Sequence, residues 1–334
     1  MPFWRKETEE EKRQKEFQEA SQKALTRGEL PLVARQRLEL QRQSGARFFS
    51  SDLTANEYLL TREAGYEPIG QVMGSCFYKV GFRGFYAGFL SQTGELLPLS
   101  QAHLSARERA VSRLAQEAAI LGAHGVIGVR LKLGGYDWSA GTTEFTAVGT
   151  AVRIADRPAP ERPFTSDLSG QEFWQLYEAG YWPLGLVMGC CSYYVHGDYS
   201  TRATIGGLFT NWQNQEMVQF TQGFQNARSL AVRRLTEDTE QHGAEGAVGM
   251  KIEYELEDIE YERMNITYYD LLVNFTAIGT AIKHDKSRPT AMRTRPVLMQ
   301  NLRYRTLRQI EFEEPIEDLV DQSIEDLLDD ADDE

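Results

Sequence analysis

Cysteine is scarce in this chain: three residues, Cys76, Cys190 and Cys191, among 334. Three thiols cannot build a disulfide framework, and they suit a reducing compartment. Long apolar runs are also missing. No window approaches the roughly 18 unbroken apolar residues of a membrane-crossing helix, and the charged stretch Met1 to Glu10 lacks the apolar core of a secretory signal. A cytoplasmic protein with no transmembrane segment is expected. Positive charge is absent from the end: after Arg308 there is no Lys or Arg, but there are 13 of the chain's 49 acidic residues. The net charge of −13 therefore belongs to the tail, and the other 36 acids face 36 bases. A neutral body gives no electrostatic case for nucleic acid or an anionic membrane. The sequence contains no GxSxG, P-loop, GxGxxG or HExxH, and its five histidines form no i,i+4 pair.

What is present is an internal repeat. Phe49-Ser50-Ser51-Asp52-Leu53 is echoed by Phe164-Thr165-Ser166-Asp167-Leu168, and Glu63-Ala64-Gly65-Tyr66 by Glu178-Ala179-Gly180-Tyr181. Pro68, Gly70, Met73, Gly74 and Cys76 return as Pro183, Gly185, Met188, Gly189 and Cys191, all at an offset of 115. The offset widens to 121 at Gly122-Ala123-His124-Gly125 against Gly243-Ala244-Glu245-Gly246. It widens again to 130 at Phe145-Thr146-Ala147-Val148-Gly149-Thr150-Ala151 against Phe275-Thr276-Ala277-Ile278-Gly279-Thr280-Ala281. Three separated blocks in one order mark a tandem duplication with two insertions in the second copy. A repeat of this size is a domain and not a solenoid unit.

Each copy reads alike. Thr54 with Glu57, and Ser169 with Glu172, are capping boxes that open a short helix. Gly65 and Gly180 close it. A strand follows, Ile69 to Val80 and Leu184 to Val195, then an irregular segment, Gly81 to Gln101 and His196 to Gln222. The main helix spans about Ala106 to Leu121 and Asn226 to Gln241, with Arg107, Arg113 and Glu117 off its apolar stripe. Two strands complete the unit, Val126 to Leu133 with Glu144 to Arg153, and Ala247 to Tyr254 with Leu271 to Lys283. The expected class is α+β: tandem β-α-β-β domains, each a three-stranded antiparallel sheet with one main helix packed on it. Residues 48–155 and 163–285 are the two domains. Residues 1–47 form a charged helical extension, ordered only when docked, and 286–334 a basic then acidic, largely disordered tail. Such a thin domain leaves a sheet face and two edges open, so homo-oligomers are expected. Apolar residues at helical spacing in the tail, Ile316 to Leu328, would suit a protein partner's groove.

The order Ile69-Gly70-Gln71-Val72-Met73-Gly74, Phe85-Tyr86-Ala87-Gly88-Phe89, an alanine-rich helix, Leu121-Gly122-Ala123-His124-Gly125-Val126 and the closing Phe145 to Val152 resembles the YbjQ-like, or heavy-metal-binding-domain, family. The resemblance covers roughly 65–154 and 180–284. It implies a β-α-β-β unit that assembles into rings, usually of five, and implies no particular activity. The family's Gly-Gly-Arg-Ser turn before the long helix is absent; Gly94-Glu95-Leu96-Leu97-Pro98 and Asn211-Trp212-Gln213-Asn214 stand there. The expected function is a non-catalytic oligomeric scaffold or small-ligand-binding protein. The alternative is a soft-metal protein that holds zinc or copper(I) on Cys76, Cys190 and Cys191, should the copies meet at their first strands. Against it, adjacent cysteines in a strand face opposite ways, and free cysteine in an apolar strand is a small buried hydrophobe.

Overall fold

The computed structural model describes residues 8–43, 49–79, 92–135, 142–155, 157–206, 214–263 and 265–286, all within one compact unit. The acidic tail, and the aromatic segments 80–91 and 207–213, lie outside the described residues.

In repeat one the chain runs α3 (Ala55–Glu63), β1 (Tyr66–Lys79), β2 (Gly94–Glu95), α4 (Leu97–Leu121), β3 (Gly125–Gly135) and β4 (Thr142–Ile154). In repeat two it runs β5 (Phe164–Thr165), α5 (Gly170–Glu178), β6 (Tyr181–Val195), α6 (Tyr199–Gly206), α7 (Val218–Gln241), β7 (Gly246–Arg263) and β8 (Ile266–His284). Both capping boxes form as the sequence predicts: Thr54 and Ser169 accept from the Glu57 and Glu172 amides while those glutamates reach back. Gly65, Gly122, Gly180 and Gly243 all take the left-handed conformation that ends a helix.

The strands start earlier than expected, at Tyr66 and Tyr181, with Pro68 and Pro183 inside them. Each proline sits beside a register shift, Pro68/Gly70 and Pro183/Gly185, where a missing amide is tolerated. The main helices also start earlier, at Leu97 and Val218. Pro98 lies in the first turn of α4, where its missing amide would be unpaired anyway. The β7–β8 hairpin keeps pairing as far as Arg263 and Ile266.

The sheets are not the expected three-stranded units. Their orders are β1-β4-β3-β5 and β2-β6-β8-β7, so each repeat lends a short strand to the other. β5 of repeat two runs parallel to β3, and β2 of repeat one runs antiparallel to β6. α4 also differs from expectation, because Arg107, Arg113 and Glu117 are buried. Sheet two packs on a further side of α4. One core cluster joins Val72 and Ala147 of sheet one, Ala110 and Leu114 of α4, and Leu186, Met188 and Ile278 of sheet two. The Arg107 guanidinium lies 4.6 Å above the Phe145 ring, which shelters its charge. α7 buries only Gly223, Ala227, Ala231, Leu235 and Thr239, a single stripe at four-residue spacing.

The N-terminal extension forms two helices, α1 (Glu9–Thr26) and α2 (Leu32–Gln43). Leu30 and Leu38 join the main core. The Leu30 amide donates to Gln116 Oε1 at 3.1 Å, and Gln116 Nε2 to the Gly28 carbonyl at 3.2 Å. Arg37 reaches Glu117 at 2.9 Å. Burial pushes the Glu117 carboxyl up, and neither the Met73 amide nor the largely exposed Arg37 restores it.

Candidate functional site at the seam between the repeats

β2 and the first turn of α4 lie along β6. Leu96 N donates to the Ser192 carbonyl at 2.8 Å, and Ser192 N donates to Ser100 Oγ at 2.9 Å. Glu95 accepts from Ser100 Oγ at 2.7 Å and from Arg234 Nη2 at 2.9 Å. Arg234 Nη1 also donates to the Cys190 carbonyl at 2.6 Å, which ties α7, β6 and repeat one together. Burial raises the Glu95 carboxyl, but the Arg234 and Ser100 hydrogen bonds and the guanidinium charge overcome it and hold it below the usual carboxylate range. On the other side of the seam, Ser166 N donates to the Val126 carbonyl at 2.8 Å and Val129 N to the Ser166 carbonyl at 2.9 Å. Tyr66, Phe164, Phe173 and Trp182 close this side as one aromatic cluster.

The three cysteines are all buried. β1 and β6 do not pair, so the copies do not meet at their first strands. Cys76 lies in the core shared with α4, whereas Cys191 packs against Ala227 and Ala231 of α7. Cys190 faces the opposite way, and Thr276 Oγ1 donates to its sulfur at 3.8 Å. Burial, with Glu95 nearby, pushes the Cys191 thiol up to about 12. Among the described residues no three His, Cys, Asp or Glu side chains gather as a metal site. This arrangement does not fit one soft ion: a ligand must be a thiolate, and the three sulfurs serve different packing surfaces. Thiol titration of native protein should therefore find less than one fast-reacting group, and three after unfolding; rapid native labelling of all three would contradict this burial.

The sequence puts His196 at the start of an irregular segment and Asp270 just before the closing strand. The structure joins them. Asp270 accepts from Tyr194 Oη and from Gly197 N at 2.8 Å, and lies 3.1 Å from His196 Nδ1. His196 stacks on Tyr268 at 5.9 Å, and Arg202 lies 4.5 Å from that ring. Burial and then the Asp270 bond push the Tyr194 hydroxyl up. With its oxygens accepting from Tyr194 and Gly197, this carboxylate ties β6 to β8. Sequence reasoning also missed Glu95, Ser100 and Arg234. The available signal was positional: Glu95 and Glu216 precede their helices by the same two residues, and Arg113 aligns with Arg234 at offset 121.

A family model described as "Putative heavy-metal-binding" matches residues 62–155 and, again, 183–285. The chain belongs to this YbjQ-like family. It carries two copies of the family's domain in tandem, in an α+β fold. The chain is also similar to the Encapsulin nanocompartment protein Rv1762c of Mycobacterium tuberculosis (strain ATCC 25618 / H37Rv), 38% identical over 265 residues, which cover 77% of this chain and 93% of that protein. That relative matches nearly end to end, so the likeness extends beyond one domain. No solved structure matches the chain. Among the described residues, no helix is long and apolar enough to cross a membrane.

Proposed function

We propose that this YbjQ-like protein is a non-catalytic scaffold or cargo-type component of an encapsulin nanocompartment, assembled with other copies of itself in the cytoplasm. The observation that carries the reading is the near end-to-end similarity to a protein named for that compartment. The seam supports it: its polar residues are hydrogen-bonded to one another and hold elements together, which is what a scaffold needs. Buried thiols suit a reducing interior. The acidic tail after Arg308 is the segment proposed to meet a protein partner, because it combines one sign of charge with apolar residues at helical spacing.

Co-expression with an encapsulin shell protein, followed by isolation of the large particles, tests the reading. The chain should sediment with the particles, and loss of residues 309–334 should reduce its share several-fold. Full-length chain that stays in the light fractions at every expression level would refute the compartment assignment.

A further inference from the structure

The seam inside the chain has a counterpart that the chain does not complete. On repeat two, Arg234 donates to the Cys190 carbonyl and meets Glu95 of repeat one. Its equivalent on repeat one, Arg113, donates to the carbonyl of Ser75, which aligns with Cys190. Among the described residues no carboxylate meets Arg113. Its Nη2 donates instead to the Leu25 carbonyl of the α1–α2 hairpin at 3.2 Å, and its Nε is buried without a partner. Beside it runs a groove of about 640 Å³, walled by Leu25 and Leu30 on one side and by Met73, Tyr78, Arg109 and Arg113 on the other.

The missing carboxylate exists at the other end of the molecule. Glu216 precedes α7 as Glu95 precedes α4. The residues between carboxylate and helix share one backbone conformation, φ −92 ψ 77 at Leu96 and φ −84 ψ 75 at Met217. Yet Glu216 is exposed and makes no ion pair among the described residues. The surrounding surfaces differ in the same sense. Met73 is 51% exposed where its counterpart Met188 is 5%, and Met250 is 44% exposed where its counterpart Val129 is 2%. What the second repeat covers on the first is bare on the second, and what the first covers on the second is bare on the first.

We propose that the groove beside Arg113 is the acceptor for a second copy of this chain, which enters with its Glu216 segment and reproduces the internal seam between chains, while the α1–α2 hairpin competes for the same arginine. The proposal rests on the self-assembly part of the reading above. Charge complementarity sets the register, since a carboxylate enters between Arg109 and Arg113. The contact is head-to-tail, so it closes into a ring or grows without limit. A hairpin that occupies the acceptor restrains that growth, as terminal caps do in repeat proteins.

Sedimentation velocity of the full-length chain over about two decades of concentration tests this, with Glu216→Arg, Gln116→Ala and Leu30→Asp alone and in combination. Gln116→Ala loosens the hairpin mildly, and Leu30→Asp releases it. Either should move association to roughly tenfold lower concentration than wild type. Glu216→Arg, a surface change that leaves the fold alone, should abolish association in every background. Association that Glu216→Arg leaves untouched would overturn this contact and keep the assembly reading. A single-chain mass of 38.0 kDa for wild type and for both hairpin variants would overturn both.

Discussion

Gly189→Val is expected to unfold the protein. Gly189 lies on β6 where α7 crosses it most closely, and a Cβ built there would overlap the Ala231 carbonyl oxygen and stand 2.7 Å from the Leu235 amide. Both obstacles are helix backbone, so no side-chain rotation makes room; the helix must lift off the sheet. Lifting it exposes Val187, Cys191, Ala227 and Ala231, which now pack between the two. We expect Gly189→Val to cost about 3–5 kcal/mol and to leave the protein largely insoluble or melting far below wild type. Gly246→Ala is the control, since nothing lies within 4 Å of its added carbon; it should stay within about 0.5 kcal/mol of wild type. Equal melting temperatures for Gly189→Val and Gly246→Ala would show that the helix does not press on the sheet here.

The second large effect is expected at the seam. Removing Arg234 leaves Glu95, only 18% exposed, without its guanidinium partner, and frees the Cys190 carbonyl as well. Arg234→Ala should cost about 2–3 kcal/mol, mostly from the stranded carboxylate. Glu95→Gln should cost less, because the amide oxygen still accepts from Arg234 and no unpaired charge is left behind. These variants also predict a pH dependence. The Glu95 carboxyl is held below its ordinary range in the folded chain. Its ionised form therefore stabilises the protein above the unfolded carboxyl's pKa of about 4.3, and that stabilisation is lost as pH falls through the lowered folded value. The stability gap between wild type and Glu95→Gln should be open at pH 7 and close below about pH 4. A gap that is constant with pH would assign the seam's strength to packing alone.

Much of the fold was legible because the sequence states it twice. Two capping boxes, two helix-closing glycines and two copies of the closing strand each confirmed the other, and local chemistry fixes such features. The exchanged strands were not legible. β2 and β5 are two residues each, too short for any periodicity, and they form only because another repeat's edge is there to receive them. The wet-looking arginines of α4 misled because helical spacing does not show what a charged side chain packs on: Arg107 lies over Phe145 of its own repeat, and Arg113 is held by the Ser75 carbonyl and by the Leu25 carbonyl of the N-terminal hairpin. Glu95 read as part of a missing family turn, and only the partner repeat's Arg234 gives it a role. The opposite orientations of Cys190 and Cys191 were legible, since alternation along a strand requires them.

The claim on which everything above stands is that two copied domains have become one body, clamped by α4 and by strands exchanged in both directions. Differential scanning calorimetry of the full-length chain tests it most directly. One transition should carry both repeats, with a calorimetric enthalpy equal to the van't Hoff enthalpy, and Arg234→Ala should shift that whole transition downward. Two separable transitions, only one of them moved by Arg234→Ala, would mean that the repeats fold independently and that the seam is a contact between neighbours.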